Sequence, residues 1–205
     1  ILLLGDFGDG KTYFTYTLAR KIAKGFIESP ETGWIPLRFT LSDLRDSPMD
    51  CREFLYRRLR EFGGTLSEWN DIQRDYKFLI ILDGLDEMSL GMNDTAVLEN
   101  LGRLEELIEQ FKGHKLIITS RKMAIYADKI RERILDCLSG PEILHLAPIT
   151  QRDRLAFLKN LADTPQRKER LLKMQNTHDL LGLAAKPLFL EMMQVLLDDD
   201  DIREL

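Results

Sequence analysis

An apolar run, Ile1 to Leu4, breaks into the octet Gly5-Asp6-Phe7-Gly8-Asp9-Gly10-Lys11-Thr12, after which the residues return to an amphipathic helical period. No other stretch restricts the fold as much. The octet fits G-x-x-x-x-G-K-[S/T], a loop that belongs between a buried strand and a helix. Its glycines let the backbone curl so that the N–H groups of Gly8 to Thr12 converge on phosphate oxygens at the positive end of the helix. The phosphate-contact set is then Gly5, Gly8, Asp9, Gly10, Lys11, Thr12 and Tyr13. Lys11 would reach the β- and γ-phosphates, and the Thr12 hydroxyl would ligate Mg²⁺. A Gly-rich turn with an incidental lysine is the bland alternative, and the strand and helix on either side weigh against it.

Short apolar, β-branched runs recur at Ile1 to Leu4, Ile35 to Leu41, Phe78 to Leu82, Leu116 to Thr119 and Ile143 to Leu146. Helix-period segments alternate with them at about Thr12 to Lys24, Met49 to Phe62, Thr95 to Phe111 and Ala124 to Leu138. Five buried strands in an α/β parallel sheet, flanked by helices, is the simplest architecture for that alternation. After Pro148 no strand-like run follows. Helices are expected at about Gln151 to Leu161, Gln166 to Met174 and Pro187 to Leu197, with Pro187 suited to a first helical turn. The expected organisation is therefore a phosphate-binding domain over 1–148 and a small helical subdomain over 149–205. The start on Ile1, inside an apparent strand, suggests a module trimmed from a longer protein.

The 205 residues carry 29 Lys plus Arg against 34 Asp plus Glu, a net charge of -5, so no global electrostatic case for nucleic-acid binding exists. Cys51 and Cys137 form no CxxC pair and imply neither a disulfide framework nor a zinc site, which fits a reducing, cytoplasmic location. No apolar run approaches the roughly 20 residues that a spanning helix needs. His114, His145 and His178 lack metal-ligand spacing. Trp34, Trp69, Met192 and Met193 read as packing residues, and the acidic run Asp198 to Asp201 as a solvated end.

A second chemical signal is Phe78-Leu79-Ile80-Ile81-Leu82-Asp83, a buried strand ending in a carboxylate, which is where an acid beside a phosphate loop holds Mg²⁺. Gly84, Leu85, Asp86 and Glu87 follow. Asp86 or Glu87 could orient an attacking water as a general base, or merely turn the chain and cap a helix. The strand in "KLIITSR" ends in Arg121, for which two roles are open: sensing a γ-phosphate, or pairing with Asp86 or Glu87.

Together "GDFGDGKT", "FLIILDGLDEM", "KLIITSR" and "KPLFLEMM" make nearly the whole chain resemble the NACHT module of the STAND class of P-loop ATPases. These are switch proteins that include animal NOD-like receptors and bacterial antiphage defence proteins. The resemblance implies bound ATP or ADP with Mg²⁺ and a sheet of order 5-1-4-3-2. It implies Asp83 on the metal through its water shell, hydrolysis shared by Asp86 and Glu87, Arg121 as the sensor, and Pro187 against the nucleotide base. "WIPLRFTLSDL" fits the family's second strand and shows no obvious catalytic group. In motor-type AAA+ ATPases a glutamate usually follows the magnesium aspartate at once, whereas here Gly84 does, which favours a switch over a motor. The resemblance further implies self-association on activation. The winged-helix domain that locks the ADP form in many relatives would lie beyond Leu205, and trigger ligand and effector domains would also lie outside the sequence.

The leading expectation is an ATP-binding, slowly hydrolysing switch in a signalling or innate-defence protein. A nucleotide-stapled scaffold without turnover and an AAA+-like remodelling ATPase are the competing readings. A P-loop small-molecule kinase is weaker, since no Arg-rich lid is visible.

Overall fold

The computed structural model describes residues 1–46, 51–61, 65–88, 94–122, 132, 135–136, 138, 140–177, 182 and 184–198. They divide into two compact units, one of residues 1–6 and 11–145, the other of residues 7–10 and 146–205.

In the first unit five strands, β1 (Leu2–Leu4), β2 (Ile35–Thr40), β3 (Phe78–Asp83), β4 (Lys115–Ser120) and β5 (Ile143–His145), form one sheet of order β2-β3-β4-β1-β5. Every pairing is parallel, with Leu2 beside Ile118 and Ile143, Leu37 beside Ile80, and Ile81 beside Ile117. This is the expected order 5-1-4-3-2 read from the other edge. Because β4 lies between β1 and β3, the carboxyl ends of the three strands adjoin, with Gly5 N–H donating to the Ser120 carbonyl at 3.1 Å. A crevice at such a point is where open α/β sheets bind ligands.

Helix α1 (Lys11–Glu28) follows β1, then come α2 (Leu41–Arg45), α3 (Cys51–Glu61), α4 (Leu66–Asp75), a 3₁₀ turn (Leu85–Met88) and α5 (Asp94–Gln110). Period 2 splits the strands into two faces. Leu2, Leu4, Phe39, Phe78, Ile80, Leu82 and Ile118 pack on one face with Phe54 and Leu55 of α3 and with Val97, Leu101, Leu104 and Leu107 of α5. The spacing of the α5 residues, four and three apart, is a helical stripe turned to a core.

Several expectations change. The strand expected to run through Leu41 stops at Thr40, and Leu41 and Leu44, both fully buried, plug the sheet's end from the short α2. Helix α4 was not expected, although Thr65-Leu66-Ser67-Glu68 is a capping box: Thr65 Oγ1 accepts from Glu68 N–H at 3.3 Å, and Thr65 N–H donates to Glu68 Oε2 at 2.8 Å. Strand β5 is an exposed edge rather than a buried strand, with Ile143 and Leu144 39% and 40% exposed. The helix expected over Ala124 to Leu138 falls largely outside the described residues, as do His178 and Cys137 and most of the Asp198 to Asp201 run.

The second unit contains α6 (Gln151–Leu161), α7 (Pro165–Thr177) and α8 (Pro187–Asp198). Leu158, Ala184, Leu190 and Met193 form its own core, edged by Ile149, Leu161 and Leu171. Met193 is buried there, but Met192, expected to fill that core, is half exposed because it stands one residue round the helix. No helix among the described residues is long and apolar enough to cross a membrane.

Candidate functional site

The carboxyl end of β3 organises the polar groups of the first unit. Asp83, 5% exposed, has both carboxylate oxygens engaged: Oδ1 accepts the Thr119 hydroxyl at 2.6 Å, and Oδ2 accepts Arg38 Nη2 at 2.5 Å. Thr119 Oγ1 in turn accepts Gly84 N–H at 2.9 Å, so one hydroxyl ties the ends of β3 and β4 together. Gly84 takes φ +89°, a left-handed value that lets the chain turn from β3 directly into the 3₁₀ turn. Glu87 N–H closes that turn on the Gly84 carbonyl at 2.9 Å. The Glu87 carboxyl folds over Gly84, where a Cβ would meet Glu87 Cδ at 3.0 Å.

The two displaced acids have different surroundings. Asp86 is 9% exposed; its Oδ1 accepts Arg121 N–H at 3.0 Å and its Oδ2 pairs with Arg121 Nε at 2.8 Å. The ion-pair alternative for Arg121 is thus present in this state, with Asp86 as the partner. Glu87 is half-buried, and its carbonyl accepts Arg45 Nη1 at 2.7 Å. Arg45 also binds Asp46 through two nitrogens, and those hydrogen bonds hold Asp46 below its usual carboxylate range.

The loop after β1 contributes to both units. In the first, Lys11 Nζ donates to the carbonyls of Gly5 at 2.7 Å and Asp6 at 3.2 Å, Asp6 pairs with Lys122 at 3.5 Å, and the Thr12 carbonyl accepts the Thr15 hydroxyl at 2.8 Å. Tyr13 is 75% exposed. In the second, Lys186 Nζ donates to the Phe7 carbonyl at 2.9 Å and lies 3.6 Å from Asp9 Oδ1, while Leu188 N–H reaches the Gly8 carbonyl at 3.4 Å. Gly10, at φ +86°, sits against Pro187 so closely that a Cβ would lie 3.0 Å from Pro187 Cγ. Pro187 opens α8, the first-turn position its missing N–H suits.

The oxygens of Thr12 and Asp83 are hard donors. Among the described residues no group of three or more His, Cys, Asp or Glu is placed to hold a metal. That donor set fits Mg²⁺, which takes one or two protein oxygens and completes its shell with phosphate and water.

Arg38, Thr15 and Thr119 were missed in the sequence reading. A period-2 count carries the signal for Arg38: Ile35, Leu37 and Phe39 fill the core face, so Arg38 and Thr40 share the opposite face, which a parallel sheet also covers. A cation placed there needs a partner.

The family model described as NACHT domain matches residues 1–164. No curated protein sequence matches the chain. Among solved structures, the chain is similar to the Aeropyrum pernix ORC1 protein in complex with DNA, at 16% identity and TM-score 0.57, covering 100% of this chain and 55% of that one. It is similar to a replication initiator DnaA bound to AMPPCP and single-stranded DNA, at 12% identity and TM-score 0.54, covering 100% and 56%. It is also similar to C. elegans PCH-2, at 14% identity and TM-score 0.53, covering 97% and 62%. The chain therefore spans little more than half of these relatives, and at such identities the likeness is one of fold.

Proposed function

The chain belongs to the NACHT domain family, and from that premise we propose that it is a switch module that binds ATP and ADP with Mg²⁺ and hydrolyses ATP slowly. The family and the fold make it a nucleotide-binding P-loop NTPase module. The observation that carries the finer reading is the adjoining of the carboxyl ends of β1, β3 and β4, where Gly5 follows β1, Asp83 ends β3 and Arg121 follows β4, with β4 between the other two strands. DnaA bound to AMPPCP, a nucleoside triphosphate analogue, supports the nucleotide class.

In this reading the N–H groups of Gly8, Asp9, Gly10, Lys11, Thr12 and Tyr13, after the turn at Gly5, cradle the phosphates, and Lys11 exchanges its bonds to the Gly5 and Asp6 carbonyls for phosphate oxygens. Thr12 and Asp83 would hold Mg²⁺, which would supply positive charge against the charge that develops on the phosphates. Glu87 orients the attacking water. Arg121 leaves Asp86 to meet a γ-phosphate, and Pro187 faces the base. Domains 1–148 and 149–205 respond to which nucleotide is bound, since only a triphosphate offers Arg121 a partner to rival Asp86. Moving such an equilibrium from mostly one state to mostly the other takes about 5.5 kcal/mol of differential affinity, within reach of a few charge-assisted bonds. The module would act in a cytoplasmic signalling or innate-defence protein, self-associating on activation by a trigger ligand and driving effector domains outside these residues.

A second reading, a nucleotide-stapled scaffold, draws on the same ion pair: Arg121 engaged by Asp86 describes a resting site. Lys11→Ala and phosphate release test both. Loss of the ATP-dependent rise in Tm is expected for Lys11→Ala, with slow phosphate release from the wild type. An unchanged rise in the variant refutes the phosphate-loop assignment, and binding without any release favours the scaffold.

A further inference from the structure

Arg38 stands on the edge strand β2, yet its side chain is only 14% exposed. Its contacts account for each side of the guanidinium. Nε donates to Thr15 Oγ1 at 3.2 Å, Nη1 to Thr40 Oγ1 at 3.4 Å and Nη2 to Asp83 Oδ2 at 2.5 Å. Cζ lies 4.0 Å from the centroid of the Tyr16 ring, which covers its face. Thr15 is itself fully buried and anchored on the Thr12 carbonyl at 2.8 Å. A guanidinium held on three edges and one face does not swing freely in solvent. It is aimed.

Its target is the carboxylate placed for the metal. Asp83 Oδ1 is committed to the neutral Thr119 hydroxyl, so Oδ2 is where Asp83 finds its positive charge. A carboxylate this buried needs such a partner, because desolvation without compensation is costly. A divalent cation and a guanidinium then have a claim on the same oxygen.

We infer that Arg38 is the resident counter-cation of Asp83, a positioning residue that keeps the carboxylate neutralised and aimed while no metal is bound and yields Oδ2 when nucleotide brings Mg²⁺. The inference rests on the nucleotide reading above. Losing the Arg38 contact is part of the cost of metal entry, so Arg38 raises the Mg²⁺ concentration at which nucleotide binds. This makes a side chain of β2 a setting for metal demand, separate from the phosphate loop.

The test is a binding titration. Wild-type chain and Arg38→Met, which keeps an unbranched stem and removes the charge, are titrated with Mg²⁺ at fixed fluorescent ADP analogue, and anisotropy reports the midpoint. Arg38→Met should lower the midpoint at least about five-fold, the small end of typical coupling between two ligands. The rise in Tm on adding Mg²⁺ and ADP should also be larger in the variant, because its ligand-free state has lost the partner of Asp83. A brace with no tie to the metal would leave both quantities unmoved. An unchanged or raised midpoint overturns the inference while wild-type binding leaves the nucleotide reading standing, and no binding by the wild type overturns both. Should Arg38→Met not fold, Thr15→Val decides: without the hydroxyl that orients Nε, the midpoint should fall in the same direction by less, and a midpoint equal to wild type overturns the inference.

Discussion

Asp86 and Glu87 are neighbours of the same charge, and their surroundings assign them different work. Asp86 meets Arg121 twice, through the backbone N–H and through Nε, and lies almost out of solvent. Removing its carboxylate leaves a backbone donor and a guanidinium to find new partners. Asp86→Ala should therefore lower unfolding stability in urea by about 1–3 kcal/mol, the usual cost of stranding a partly buried donor. Glu87 gives its backbone carbonyl to Arg45 and its N–H to Gly84, and its carboxyl lies against Gly84. Glu87→Gln should change stability little and cut phosphate release by about 100-fold or more, the scale on which a general base acts. Equal release from wild type and Glu87→Gln would remove Glu87 from that role. The motif "DGLDE" brought both acids into view, but a string of residues does not show which one an arginine beyond the next strand will take. The partner of Arg38 was hidden for the same reason: it lies on β3, 45 residues away along the chain.

Elements with a strong local cause were legible before the structure. The runs that became β1, β3 and β4 are apolar on both faces because both faces are covered, and α5 carries its stripe of Val97, Leu101, Leu104 and Leu107 in plain order. The elements missed are those whose cause is small or lies elsewhere. Helix α2 is five residues long and exists because Leu41 and Leu44 find a tertiary pocket, which no periodic pattern of that length can announce. Helix α4 did have a local cause, the capping box at its start, and its mostly polar sequence hid it. Thr65→Ala should cost about 1 kcal/mol, read as a lower midpoint in chemical denaturation, because the Glu68 N–H loses its acceptor. The cap also has a pH signature. Hydrogen bonds from the Thr65 side chain and backbone hold the Glu68 carboxyl below its usual value of 4.5. With the folded value below the unfolded one, the contribution is complete above that usual value and disappears as pH falls through the folded value. Protection factors of α4 amides, taken relative to the intrinsic exchange rate at each pH, should fall on acidification across that window, and Glu68→Gln should remove that dependence.

At the scale of the molecule, the two units are not matched in the means that hold them. The first has a core drawn from strands β1, β2, β3 and β4 and from α2, α3 and α5, joined by backbone ladders along the whole sheet. Its contacts are far apart in sequence, so opening an inner strand, β3, β4 or β1, means giving up partners on two others. The second rests on Leu158, Ala184, Leu190 and Met193 with three half-buried neighbours, and its helices satisfy their own backbones without help from a sheet. Val195, on α8, is 64% exposed and Leu172, on α7, is 60% exposed, so apolar residues that a larger core would have taken stay in water. Opening free energy follows buried apolar contact, and a small helical core opens first. In the nucleotide-free chain, amides within α6 and α8 should exchange at least about ten-fold faster than those within β3 and β4, equivalent to ~1.4 kcal/mol of opening free energy. Mass-resolved hydrogen exchange at neutral pH reads this directly. Equal protection in the two sets would mean that both units unfold together, and thermal melting would then follow a single transition rather than two.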